Sequence, residues 1–201
     1  MNRTTIQVGG FAVNCSILSE NGKAWIIDPG QEGDRIVKLL RESDLSPQAI
    51  LLTHAHFDHI GAIPVLQAAY PDLLVYVHDN DLKVINHPLN QLPPEYPPIG
   101  QPKNPASPES LDNLESLEVL ETPGHTPGGV CYYLKNAKLL FSGDTLFAGS
   151  VGRTDLPGGN MAMLTASLQK LTALPDDTVV IPGHGMFTTI GDEKRGNPFL
   201  Q

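Results

Sequence analysis

The run Thr53-His54-Ala55-His56-Phe57-Asp58-His59 places three imidazoles and one carboxylate within six residues. Neutral imidazole nitrogens and carboxylate oxygens both suit zinc and similar borderline divalent metals. His54 and His56, two apart, point the same way on an extended strand. Asp58 and His59 follow the bend and can face a second point, so one segment can feed two neighbouring metal ions. Three further candidates stand far along the chain. His125 lies in Thr122-Pro123-Gly124-His125-Thr126-Pro127-Gly128-Gly129, Asp144 in Ser142-Gly143-Asp144-Thr145, and His184 in Ile181-Pro182-Gly183-His184-Gly185. Glycine beside each allows the tight turns that aim a side chain into a cleft.

Each of these residues has an ordinary alternative. A lone histidine is more often a satisfied polar residue than a ligand, an aspartate such as Asp144 commonly forms a local turn, and Asp58 suits a helix N-cap. Taken together the ordinary reading fails. Five of the seven histidines occupy glycine-rich or histidine-rich turns after strand patterns, and only His78 and His87 lack that setting. These two are read as structural or exposed.

The elements that must position the site are strands. Thr5–Val8 alternates. Val13–Leu18 and Ala24–Ile27 pair around Glu20-Asn21-Gly22-Lys23, since Asn-Gly favours a two-residue hairpin turn. Residues 33–43 carry Ile36, Val37, Leu39 and Leu40 at helical spacing. Ala49–Leu52 is short and wholly apolar, as in a strand covered on both faces. Helix is expected at 63–70 and 79–86, with a strand at 73–77 between them. Eight prolines crowd residues 87–112, and proline excludes both helix and central strand. That stretch is either a plain surface excursion or a loop covering a site. Strands resume at 117–120, 130–134 and 139–142. A helix follows over 161–174, with Met161, Leu164, Leu168 and Leu171 on its apolar face, then a strand at 178–181 and a helical turn at 191–195.

Composition restricts the partners. The 201 residues are 40% hydrophobic and 17% charged, enough for a full core without disulfides. The formal net charge of −9 disfavours general nucleic-acid binding, because such a chain repels phosphate. No window approaches the ~20 apolar residues that span a bilayer, and the first residues carry no apolar signal core, so no membrane association and a cytoplasmic setting are expected. Cys15 and Cys131 lie in apolar runs and read as buried core thiols.

The pattern His54-x-His56-x-Asp58-His59, followed in order by His125, Asp144 and His184, resembles the metallo-β-lactamase superfamily over residues 13–200. Within it the short form of the hydroxyacylglutathione hydrolase (glyoxalase II) branch is most similar. The motifs behind this are Gly143-Asp144-Thr145-Leu146-Phe147, Gly152-Arg153-Thr154-Asp155, Pro182-Gly183-His184-Gly185 and Asn197-Pro198-Phe199-Leu200. The resemblance implies an α/β fold, a four-layer αββα sandwich, formed by a single hydrolase domain over 1–201. It implies two divalent metal ions, with zinc first and iron or manganese as alternatives. His54, His56 and His125 would hold one ion, Asp58, His59 and His184 the other, and Asp144 would bridge them. Asp58 and Asp144 would be the catalytic carboxylates.

The implied activity is hydrolysis of a small-molecule thioester of the S-2-hydroxyacylglutathione type, by a monomer or homodimer. Arg153, where the long enzymes often carry lysine, is expected to clamp a substrate carboxylate, with an internal pair to Asp155 as its alternative. Met186 replaces a tyrosine of the long enzymes. Two other activities use the same motifs: a mononuclear-iron persulfide dioxygenase, with His54, His125 and Asp144 as ligands, and a lactonase. A β-lactam substrate is disfavoured, since many β-lactamases of this fold place cysteine at the position of Asp144.

Overall fold

The computed structural model describes residues 1–108 and 117–201. The final part of the proline-rich stretch, 109–112, lies outside the described residues. The chain forms two compact units, 1–108 and 109–201.

The first unit is built on a six-stranded mixed sheet. Its elements are β1 (Asn2–Val8), β2 (Val13–Glu20), β3 (Lys23–Ile27), α1 (Gly33–Glu42), β4 (Ser46–Leu51), α2 (Phe57–Ile60), α3 (Ile63–Ala69), β5 (Leu74–Tyr76), α4 (Asp79–Ile85) and β6 (Pro105–Ala106). The strands lie in sequence order, β1 to β6. The β2–β3 hairpin closes with Glu20 opposite Lys23, and Asn21 and Gly22 both take positive φ, as the expected turn requires. From β3 to β6 the pairing is parallel, so β3, β4 and β5 all end at one edge of the sheet. That edge receives Asp28, Thr53 and His54, and it leads into α4. Ala49, Ile50, Leu51 and Leu52 are fully buried, as the uninterrupted apolar run requires. Ile36, Val37 and Leu40 of α1 join Ile17, Ile26, Ile50 and Leu66 in one core cluster. Each such side chain contributes about 1.5–3 kcal/mol of burial.

The second unit carries β7 (Leu117–Glu121), β8 (Val130–Leu134), β9 (Leu139–Gly143), β10 (Leu146–Phe147), β11 (Ser150–Val151), α5 (Met161–Thr172), β12 (Val179–Pro182), β13 (Thr188–Thr189) and α6 (Ile190–Gly196). Its main sheet runs β13-β12-β9-β8-β7, and β10–β11 is a separate hairpin. The pairing of β9 with β12 is parallel, so the residues after both strands emerge side by side. Leu164, Leu168 and Leu171 of α5 pack with Cys131, Leu140 and Val180.

Several expectations need correction. Met161 is 51% exposed rather than on the buried face of α5. It is the first helical residue, and the fourth place in the face goes to Ser167, whose hydroxyl donates to Pro123 O. The proline-rich stretch is not wholly loop, because Pro105–Ala106 adds an edge strand, a position where proline costs no ladder bond. Both cysteines are buried thiols outside any disulfide, as expected. Among the described residues no helix is long and apolar enough to cross a membrane.

Candidate metal centre

The expected ligands of the first unit all follow β4. The chain leaves the strand at Leu51, extends through His54 and His56, and turns into the single helical turn α2. His54, His56, Asp58 and His59 are buried. The ring centroids of His54 and His56 are 4.9 Å apart, and those of His54 and His59 are 4.1 Å apart. His59 Nε2 stands 3.8 Å from Asp58 Oδ2. Asp58 is not the N-cap of α2. That position belongs to His56, which makes no side-chain cap bond.

In the second unit, Asp144 follows β9 and His184 follows β12. Gly183 N donates to Gly143 O, extending the parallel pairing to the residues just before both side chains. Asp144 Oδ2 stands 3.6 Å from Nε2 of His125 and 3.6 Å from Nε2 of His184. These separations are too long for good hydrogen bonds. They match the roughly 3.4 Å edge of a coordination tetrahedron with ligands near 2.1 Å. The donor chemistry and the spacing therefore fit divalent metal ions.

Three of the histidines, His54, His59 and His125, meet an oxygen through their other nitrogen, an arrangement common among metal-binding imidazoles. His125 Nδ1 donates to Arg153 O at 2.7 Å, which directs Nε2 toward Asp144. Asp28 serves two others. Its carboxylate accepts from Thr53 N at 2.8 Å and from Thr53 Oγ1 at 2.6 Å, and it lies 3.1 Å from His59 Nδ1. Thr53 Oγ1, having given its proton to Asp28, accepts from His54 Nδ1 at 3.1 Å. Asp28, His54 and His59 also offer ligand atoms within 4.8 Å of one another. Both oxygens of Asp28 already accept from Thr53, an arrangement suited to orienting the neighbouring rings.

Two glycines let the backbone close behind the aspartates. A Cβ on Gly30 would strike the carbonyl oxygen of Asp58, and one on Gly152 would strike that of Asp144.

The sequence reading missed Asp28, Asp81 and Asn90. Asp81 Oδ2 accepts from Ala55 N, and Asn90 brackets the same turn with bonds to Phe57 N and Ala55 O. Asp28 directly after an apolar strand was the one available signal. His78 and His87 are turn formers, each accepting through Nδ1 from the backbone N–H two residues ahead. Arg153 makes the internal pair weighed as its alternative. It bonds Asp155 through two parallel contacts of 2.7 Å. The guanidinium holds the Asp155 carboxyl down at about 2, and Asp155 in turn raises Arg153.

The family model of the metallo-β-lactamase superfamily matches residues 8–184. The chain is 42% identical over 200 residues to the probable metallo-hydrolase YqgX of Bacillus subtilis, covering 96% of this chain and 94% of that one. It is 39% identical over 212 residues to the hydroxyacylglutathione hydrolase GloC of Haemophilus influenzae, covering 100% and 98%. Among solved structures, BLEG-1 B3 metallo-β-lactamase is similar at TM-score 0.89 and 38% identity, covering 99% of both chains. TTHA1623 in a di-iron-bound form is similar at 0.88 and 41%, covering 98% of this chain and 100% of that one. ETHE1 from Myxococcus xanthus is similar at 0.77 and 29%, covering 98% and 84%. The chain therefore belongs to the metallo-β-lactamase superfamily, with that family's α/β fold and a histidine- and aspartate-based site for divalent metal ions.

Proposed function

We propose that this metallohydrolase cleaves thioesters of the S-2-hydroxyacylglutathione class at a centre of two divalent ions. The observation that carries the reading is the single oxygen of Asp144 standing 3.6 Å from both His125 and His184, the arrangement a bridging carboxylate needs. On the family's pattern His54, His56 and His125 would hold one ion. Asp58, His59 and His184 would hold the second, and Asp144 would serve both. When bound, such ions supply Lewis acidity and a water acidified from 15.7 toward ~7.

The chain supplies the rest. Asp58, buried beside His59, orients the attacking water and holds its proton. Arg153 exchanges its exposed partner Asp155 for a substrate carboxylate. The thiol product ionises near ~8.5, so it leaves without a strong general acid. No serine or cysteine nucleophile is required, and both cysteines are buried. The likeness to GloC of H. influenzae supports the thioester. We place the enzyme in the cytosol, as a monomer or homodimer acting on a small molecule.

A mononuclear-iron persulfide dioxygenase is the second reading. The di-iron form of TTHA1623 brings iron into consideration for this chain. Such a dioxygenase would use only His54, His125 and Asp144, and would give His56, Asp58, His59 and His184 no part in holding the metal. Zinc stands first among the metals, with iron and manganese next.

The test is elemental analysis after growth with zinc, iron and manganese, followed by turnover of S-lactoylglutathione. About two metal ions per chain with thioester hydrolysis is the expected result. Fewer than one ion per chain defeats the dinuclear centre. Bound metal without thioester turnover defeats the substrate, and glutathione persulfide, a lactone and a β-lactam are then the substrates to compare.

A further inference from the structure

Asn90 belongs to the proline-rich stretch, outside every motif, yet its side chain is buried. Its Oδ1 accepts from Phe57 N at 2.9 Å, and its Nδ2 donates to Ala55 O at 2.8 Å. One amide thus grips the peptide groups on both sides of His56, as a neighbouring strand would. The assignment of its two ends is fixed by these partners, because a flipped amide would set like against like. Asp81 holds Ala55 N, and His59 N bonds His56 O, so the backbone around His56 is anchored at four points. The segment carrying Asn90 is itself pinned. Leu92 and Tyr96 exchange backbone hydrogen bonds, and the Tyr96 ring meets Phe57 edge-on at 5.0 Å.

We infer that Asn90 is a positioning residue that sets the aim of His56 and Asp58 toward the metal ions, and that delivering it is the role of the segment from Asn90 to Tyr96. The inference rests on the metal-binding reading of these ligands. The backbone of His56 is extended, while Phe57 opens α2. His56 and Asp58 therefore depend on where that change of direction falls. Without the amide, Phe57 N and Ala55 O must find water in a buried turn, and the ligands lose their fixed spacing. Loss of such outer contacts weakens metal binding about 10–100-fold in metalloproteins.

The probe is cobalt(II), titrated into metal-free protein against a competing chelator, with its visible absorption recorded. Asn90→Ala and the isosteric Asn90→Asp, which sets a carboxylate oxygen against Ala55 O, are compared with Gln67→Ala. Gln67 is also a buried amide, and it ties the same stretch to the core through Lys103 and Leu73, away from the metal turn. Cobalt binding about 10–100-fold weaker in both Asn90 variants, with a shifted absorption band, and near-normal in Gln67→Ala, is the expected result. Equal weakening in Gln67→Ala reduces Asn90 to a general structural role and overturns the inference. Unchanged affinity and spectrum in the Asn90 variants overturn it while leaving the metal-binding reading standing. Wild-type protein that binds no cobalt overturns both. Should neither Asn90 variant fold, amide exchange in the wild-type protein decides. A Phe57 N–H protected like a core amide upholds the contact, and one exchanging like an exposed loop abolishes it.

Discussion

Replacing Asp28 by asparagine should separate metal binding from folding. Asp28 is 2% exposed and accepts from Thr53 N and Thr53 Oγ1. Hydrogen bonds to a charged acceptor contribute about 1.5–3 kcal/mol each, so Asp28→Ala, which removes both, should cost roughly 3–6 kcal/mol. That is a large share of a typical 5–15 kcal/mol stability. Asparagine keeps the bond from Thr53 N, and its amide nitrogen can still donate to Thr53 Oγ1, so its cost falls to about 1–2 kcal/mol. The new N–H also faces His59 Nδ1, 3.1 Å from the oxygen it replaces. That nitrogen must then accept, which moves the ring proton to Nε2, the nitrogen nearer Asp58. Metal binding should weaken about 10–100-fold. Urea unfolding of the metal-free protein reads the first quantity, and chelator competition with zinc reads the second. An Asp28→Asn protein that binds zinc within twofold of wild type would refute the orienting role.

Other outcomes follow from the same contacts. Gly30→Ala and Gly152→Ala each drive a methyl group into the carbonyl of a site aspartate, so each should cost about 1–3 kcal/mol of stability and lower metal content; normal metal content in both would mean the backbone yields freely. Arg153→Ala should raise KM for a glutathione thioester several-fold and change kcat little, whereas an unchanged KM would assign Arg153 only to Asp155. The Arg153–Asp155 pairing is fully present above the ordinary carboxylate range and is lost only as pH falls through about 2, so steady-state assays from about pH 5 to 9 should show no KM transition from Asp155. Burial pushes the Cys15 thiol well above its usual range, and Cys131 is equally enclosed, so a thiol reagent should label neither before denaturant unfolds the chain. Rapid labelling of native protein would contradict the packing.

The candidate ligands were legible in the sequence because their chemistry is local. Three histidines and an aspartate in one short run need no tertiary information to suggest a metal, and Gly143-Asp144 and Gly183-His184 each follow a readable strand. The residues that orient them were not legible. Asp28 reads as the start of an Asp-Pro-Gly turn, Asp81 as part of a polar helix start, and Asn90 as one polar residue among prolines. Their partners lie 25, 26 and 33 residues away, and only the parallel ends of β3, β4 and β5 bring them together. The strands β10, β11 and β13, of two residues each, are too short for any periodicity to register. Met161 misled because helical spacing alone cannot tell where a helix outruns its core.

The two units solve one problem by similar means. In each, a strand exit delivers the aspartate or its partner, a glycine without Cβ lets a neighbouring turn close on the aspartate's carbonyl, and an oxygen stands within about 3 Å of Nδ1 of a histidine. In the first unit Gly30 and Asp28 fill those places, and in the second Gly152 and the carbonyl of Arg153 do. The difference lies in the acceptor. A carboxylate beside Nδ1 makes the ring a stronger donor through Nε2 than a neutral carbonyl does. On the proposed partition of ligands between two ions, His59 should therefore bind its ion more tightly than His125 binds its own, other ligands being equal. Stepwise removal of zinc by chelator is then expected to spare the ion on Asp58 and His59 longer, and His125→Ala should cost less total zinc than His59→Ala. Equal losses in the two variants would show that acceptor charge is not what ranks the two positions.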